Sequence, residues 1–305
     1  MIFNVGYLIL ITAMVLAAFG IITGALGGQQ RNARLIQSSY NSVLAVAGLV
    51  LLASLILWYG LLADQFQLVY VWNSSERALP VFYKFAAMWG GQSGSLLFWT
   101  LILSVYSVFT VLSFRRRHAA IMPYVYATLL ATTLFFLTLL VFAANPFRQV
   151  AFIPADGQGL NPLLQNYWMV IHPPTLFMGF AATIIPFAYL IAGLWQKQYK
   201  EWVRPALPWA LFAAVVLGTG ILMGAYWAYE TLNFGGYWNW DPVENAVYVP
   251  WLLLIASIHT MISYKSSSSA LRASVIVVAF MYVAILYSTF LTRSGILGES
   301  SVHSF

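Results

Sequence analysis

The sequence predicts an all-α, polytopic membrane helical bundle of about eight transmembrane helices, and three observations carry that expectation. Hydrophobic residues make up 61% of the 305-residue chain and charged residues only 7%, against about a quarter charged in soluble domains. Apolar runs of the roughly 20 residues needed to cross a bilayer as a helix recur along the whole chain. The connections between those runs alternate sharply in charge.

The first run, Tyr7 to Leu26, has no basic region ahead of it and no small-residue cleavage site, so it is expected to remain as the first span. The second, Val43 to Leu62, follows a connection holding Arg31 and Arg34. The third, Ser95 to Phe114, ends at Arg115-Arg116-Arg117, and the fourth runs from Met122 to Ala143. A long connection then leads to His172-Pro173-Pro174. A proline pair favours an extended approach followed by a helix start. The fifth span is therefore expected over Thr175 to Trp195, with the His172 imidazole held at its mouth. Lys197, Lys200 and Arg204 separate it from the sixth, Leu207 to Trp227. The seventh, Val247 to Tyr264, is preceded by Asp241-Pro242-Val243-Glu244, the spacing of a capping box with proline at the first helical position. That spacing gives Asp241 and Glu244 a structural role, fixing the angle at which the chain enters the span. The eighth runs from Leu271 to Leu291, and with no repeat or soluble segment the chain is expected to form a single membrane domain, 1–305.

Loop charges predict the orientation. One set of short connections holds Arg31, Arg34, Arg115, Arg116, Arg117, Lys197, Lys200, Arg204, Lys265 and Arg272, with Glu201 as its only acid. The other holds Arg77, Lys84, Arg148 and Arg293 against seven acids. The first set is expected in the cytoplasm and both termini outside, which puts the long connections on the outer face. The formal charge of +6 is thus a loop asymmetry facing the lipid bilayer, and no nucleic-acid partner is expected. The chain has no cysteine, which excludes disulfides, thiolate metal sites and a cysteine nucleophile.

The densest candidate site is the outer loop at about 226–246 and its flanks, where Tyr226, Trp227, Tyr229, Phe234, Tyr237, Trp238, Trp240, Tyr248 and Trp251 surround Gly235-Gly236. An interfacial aromatic belt explains two or three rings per helix end. Nine in one segment fit a platform for a large flat conjugated ligand. Of the four histidines, His118 sits in a basic connection and is given no role. His259 is about 18 Å into the seventh span, a depth at which an ionisable residue is a functional hypothesis, with a hydrogen bond to a neighbouring helix as the structural alternative. His172 and His303 flank the aromatic segment on the outer side. Two outer histidines and an aromatic shelf suit a planar metal macrocycle held by axial imidazoles, as in heme proteins. Zinc would want three or four ligands and no shelf.

Four blocks then carry a family resemblance: LPVFYKFAAMWGGQSGSLLFW from Leu79, LNPLLQNYWMVIHPPTLFMG from Leu160, the segment from Gly224 to Trp251, and FLTRSGILGESSVHSF from Phe290. In order and over essentially the whole chain they resemble the heme-handling superfamily named for its tryptophan-rich loop, and within it the CcmF-type cytochrome c heme lyases. The resemblance implies a bacterial inner-membrane protein with its N-terminus and working face in the periplasm. It implies a lyase that receives heme from a periplasmic heme chaperone and supports thioether attachment to the CxxCH motif of apocytochrome c, alongside thiol-handling partners.

By position in the motifs, the likeness implies His172 and His303 as ligands of the substrate heme, a heme b, and His259 as one ligand of a resident b-type heme. Trp227, Phe234, Gly235, Gly236, Tyr237, Trp238 and Trp240 would line the heme, with Arg293 or Arg77 near its propionates. Members of the family are about twice this length and carry the second membrane histidine in the other part. A C-terminal half or second subunit is therefore implied as a partner. Two alternatives stay open: a transporter or loader that delivers heme to the chaperone, and a b-heme electron-transfer subunit.

Overall fold

The computed structural model describes residues 2–115, 118–232 and 235–297. They fall into two compact units, one ending at Asn166 and one beginning at Tyr167. Eight helices are long and apolar enough to cross a membrane, and the chain is a multi-span helical membrane protein.

The first unit contains α1 (Ile2–Gln30), α2 (Ala33–Leu62), α3 (Val69–Ser74), α4 (Val81–Gly90), α5 (Gln92–Phe114) and α6 (Met122–Phe142). Asn32 caps α2, its Oδ1 accepting from the Arg34 N–H at 3.0 Å, so α1 and α2 form a hairpin with a two-residue break. α1 packs against both α2 and α6. A Cβ on Gly24 of α1 would lie 2.8 Å from the Pro123 carbonyl oxygen at the start of α6, the close backbone approach that small residues permit between membrane helices.

The connection expected as a loop between the second and third spans is largely folded. It holds α3 and α4, and α3 is strapped by the chain that follows α6. Val69 N–H donates to the Arg148 carbonyl and Val150 N–H to the Gln67 carbonyl, both at 2.9 Å. Lys84 Nζ donates to Asp64 Oδ1 at 2.6 Å, with the lysine side chain only 7% exposed. Asp156 Oδ1 accepts from the Arg77 N–H at 2.9 Å and the Gly157 N–H at 2.8 Å. Those two backbone donors hold the Asp156 carboxyl below its ordinary range.

The turn between α4 and α5 carries the WGGQSGS block, and Tyr70 of α3 organises it. The Tyr70 hydroxyl donates towards the carbonyls of Ala87 (2.7 Å) and Met88 (3.0 Å) and accepts from the Gly91 N–H at 3.1 Å.

The second unit contains α7 (Tyr167–Trp195), α8 (Val203–Thr231), α9 (Pro242–Ser263) and α10 (Ser268–Arg293). α7 corrects the expectation that a helix starts after Pro174. It begins at Tyr167 and includes His172, Pro173 and Pro174. Proline disfavours rather than forbids a helical neighbour, and its cost is the lost bonds to the carbonyls four residues earlier. Here those are Met169 and Val170, in the first turn of the helix, and packing against α8 compensates. At Gly179 of α7 a Cβ would lie 2.8 Å from Leu217 Cα of α8. α8 packs in turn on α9, and α9 on α10.

Candidate functional site

His172 is mounted from two helices. Its position in the second turn of α7 brings the ring against α8, where Nδ1 lies 2.7 Å from the Gly220 carbonyl oxygen. A carbonyl only accepts, so Nδ1 carries the proton and Nε2 presents a lone pair. This is the arrangement that orients a metal-ligating imidazole and raises its basicity. Space for the ring comes from α8: a Cβ on Gly224 would lie 2.4 Å from His172 Cε1 and 2.9 Å from Nε2. Gly220 and Gly224 thus supply the hydrogen-bond acceptor and the clearance. Their spacing of four was the signal that could have marked them in the sequence.

Beside His172 is a cavity of about 70 Å³ whose lining includes Leu176, Gly224, Trp227, Trp238 and Glu244. Trp227 is buried. The indole N–H of Trp238 is buried and makes no hydrogen bond among the described residues, a donor left in want of an acceptor at a cost of about 1–3 kcal/mol.

The loop above the cavity is fixed by one carboxylate. Asp241 is the N-cap of α9, with Pro242 in its first turn and Glu244 completing a capping box. Glu244 Oε2 accepts from the Asp241 N–H at 3.1 Å and also from the Asn239 N–H at 2.9 Å. These bonds bracket Trp240, which adopts a left-handed backbone with φ +54° and whose carbonyl accepts from Asn245 Nδ2 at 2.8 Å. A non-glycine residue in that region costs on the order of 1–3 kcal/mol and persists only when its surroundings hold it. The result turns the Trp240 ring outward, 66% exposed.

The rings expected to form one shelf divide into two groups. Trp238, Trp240 and Tyr248 meet edge-on, with Trp238 and Tyr248 centroids 5.6 Å apart, and Tyr248 stacks on Trp251 at 5.9 Å. In the other, Tyr229 and Tyr237 stack face to face at 4.3 Å and Tyr226 packs on Trp168 at 4.7 Å. Trp168 is one helical turn before His172 and was not singled out from the sequence. Gly235 takes a positive φ of +71°, and a Cβ on Gly236 would meet nothing closer than the Trp238 carbonyl at 3.9 Å. Phe234 and His303 lie outside the described residues.

His259 occupies a separate place. It follows Pro242 by seventeen residues on α9, roughly 26 Å at 1.5 Å per residue, which is deeper than the 18 Å expected because the helix begins five residues earlier. The ring is exposed, and its Nδ1 lies 2.8 Å from the Ile255 carbonyl of its own helix. That again leaves Nε2 as the lone-pair nitrogen. His259 lines an apolar groove of about 590 Å³ between α8 and α9, with Tyr248 and Trp251 along the same groove. Such a volume falls in the usual range for cofactor sites, roughly 300–1,000 Å³. Trp251 Nε1 donates to the Ala214 carbonyl at 2.9 Å and ties the two helices together.

Neither arginine is placed as a lone cation. Arg293 ends α10 with its guanidinium 5.5 Å from the Phe177 ring centre. Arg77 Nε donates to the Ala155 carbonyl at 3.1 Å in the first unit. No cluster of three or more metal-ligating side chains occurs among the described residues. His172 and His259 thus stand in separate settings, each with one imidazole oriented by a carbonyl.

Residues 89–297 match the family model described as cytochrome C assembly protein. The chain is similar to the cytochrome c-type biogenesis protein CcmF of Pseudomonas fluorescens, 40% identical over 252 residues that cover 82% of this chain and 38% of the relative. It is likewise similar to CycK of Rhizobium meliloti, 34% identical over 100% of this chain and 45% of the relative. CcmF of Escherichia coli is 36% identical over 86% and 40%. A solved structure titled cytochrome c heme lyase CcmF matches with a TM-score of 0.83 and 29% identity over 98% of this chain and 48% of that one. The chain spans less than half the length of these relatives.

Proposed function

The chain belongs to the cytochrome c assembly protein family, and from that premise we propose that it forms the outer heme-presenting site of a cytochrome c heme lyase. In this reading heme is the substrate, received from a periplasmic heme chaperone, and His172 and His303 are its axial ligands. Thiol-handling partners deliver the CxxCH thiols of apocytochrome c. The outer loops face the periplasm and the basic connections the cytoplasm of a bacterial inner membrane, on the charge asymmetry of those connections.

The observation that carries the reading is the mounting of His172. Its Nδ1–H is committed to the Gly220 carbonyl, Gly224 clears room for the ring, and the adjacent cavity is walled by Trp227 and Trp238. At about 70 Å³ the cavity is well below the roughly 300–1,000 Å³ of sites that enclose a small molecule. Heme therefore has to displace the loop carrying Trp238, and a polar edge of the ligand, or water, can then accept from that indole.

His259 fits a resident b-type heme in part. The apolar groove and the oriented imidazole suit one face of a macrocycle, and the second ligand would come from a C-terminal half or a separate subunit. Such a group supplies electron transfer when bound. This chain's residues would hold it, His259 at the iron and Tyr248 and Trp251 by apolar contact along the groove. The test is covalent cytochrome c formation with the other maturation components present. His172→Ala and His303→Ala are each expected to abolish it, and undiminished thioether formation in either variant would reject that histidine as a ligand.

A further inference from the structure

Helix α4 is built inside out for a segment outside the membrane. Its exposed residues are Val81, Phe82 and Phe85, at 71%, 48% and 44%. Its one charged residue, Lys84, is turned into the protein against Asp64. A surface helix in water shows the reverse, with its charges out and its apolar stripe in. An exposed, wholly apolar helix face marks contact with something other than water.

What it contacts is indicated by its neighbour. Phe85 stacks on Trp58 of α2 with centroids 5.0 Å apart and planes 2° apart, and Trp58 Nε1 donates to the Phe85 carbonyl at 3.2 Å. Trp58 and Tyr59 are in the last turns of a membrane span, where tryptophan and tyrosine mark headgroup depth. On the same span Leu51, Leu52, Leu55, Tyr59 and Leu62 are exposed, an apolar surface of the kind a membrane span turns to lipid. Phe98 of α5 closes the cluster from below, 6.3 Å from Trp58 and 5.0 Å from Trp89. Phe98 is six residues into α5, roughly 9 Å along that helix. α4 thus sits level with the ends of the spans, and its apolar face continues their lipid-facing surface.

We propose that α4 is an interfacial helix, with Val81, Phe82 and Phe85 in the boundary between headgroups and acyl chains of the outer leaflet. Helices of this kind lie in the plane of the interface with their apolar face about 5–10 Å deep. The Lys84–Asp64 pair follows from that position, because a lysine so close to hydrocarbon needs a fixed counter-ion.

The chain has no cysteine, so single cysteines can be placed without background. Phe82→Cys and, separately, Val81→Cys, carrying a small fluorophore in the protein reconstituted in phospholipid vesicles, read the environment. Tyr59→Cys on α2 is the lipid control and Ala78→Cys in the preceding loop the aqueous one. Both test positions are expected to be quenched by lipids brominated high in the acyl chain as strongly as Tyr59→Cys, and several-fold less by aqueous iodide than Ala78→Cys. Iodide quenching equal to that at Ala78→Cys overturns the proposal. So does protection from both quenchers, which would mean that polypeptide covers the face.

Discussion

Gly224→Ala tests the mounting of His172 with the smallest possible change. The added Cβ would stand 2.4 Å from His172 Cε1, 2.9 Å from Nε2 and 3.0 Å from Nδ1. Ordinary carbon contacts begin near 3.5 Å, so the ring has to retreat by about 1 Å. That displacement is enough to break the 2.7 Å bond to the Gly220 carbonyl. Forcing a methyl group into a packed site costs about 1–3 kcal/mol, and a misplacement of about 1 Å at a reacting group can cost about 100-fold in rate. Gly48→Ala on α2, where a Cβ meets nothing within 4 Å, serves as the control and should be neutral or slightly stabilising. The assay is covalent cytochrome c yield normalised to the amount of protein in the membrane, together with the absorption spectrum of heme trapped at the outer site. Gly224→Ala is expected to lower the yield about 100-fold and alter the ligation spectrum, with abundance close to that of the control. Unchanged yield and spectrum would refute the claim that this imidazole must sit where the structure places it.

Three other outcomes follow. His259 is exposed and, among the described residues, bonded within its own helix, so His259→Ala should change stability by less than about 0.5 kcal/mol; in the chain purified with the proposed C-terminal half, a difference spectrum should show the b-type signal gone. Lys84→Met leaves Asp64 without its cation; because Asp64 is 23% exposed, the loss should be about 2 kcal/mol, below that of a fully buried pair. Lys84→Met with Asp64→Asn should recover most of it in a thermal melt. The Asp156 carboxyl is held below its ordinary value of 3.8, first by the Arg77 and Gly157 N–H groups, so its contribution is complete above that value and disappears as pH falls through the lower folded one. Hydrogen exchange at the Arg77 and Gly157 amides should therefore accelerate, relative to the intrinsic rate, only below pH 3.8, and Asp156→Asn should remove that step.

What could be read from the sequence was local or strongly periodic. The eight spans follow from apolar run length, and the structure extends seven of them at one end or both, while the fourth, Met122–Phe142, ends one residue before its apolar run does. The capping box of Asp241, Pro242 and Glu244 was legible because its partners lie within four residues. Its further role was not: only coordinates show that Glu244 also binds the Asn239 N–H and so fixes Trp240. The proline pair after His172 misled because a local preference was outweighed by packing of α7 on α8. α3 and α4 were missed since neither is long enough to register as a span, and α4 hides its one charge. The Lys84–Asp64 pair and the Tyr70 clamp on the WGGQSGS turn join residues about 20 apart, with no repeating pattern to announce them. His172 and His259 were singled out by residue type and position, but their acceptors, Gly220 and Ile255, required the fold.

The central claim, that His172 is an iron ligand of the outer heme, is tested most directly by ligand rescue. His172→Gly, in a His259→Ala background that removes the signal of the proposed resident heme, co-expressed with the proposed C-terminal half and supplied with heme, removes the imidazole and leaves space beside Gly224 for a free one. The account predicts that the absorption spectrum loses its six-coordinate, two-imidazole character and regains it on adding imidazole. A His172→Gly spectrum identical to that of the His259→Ala parent would contradict it.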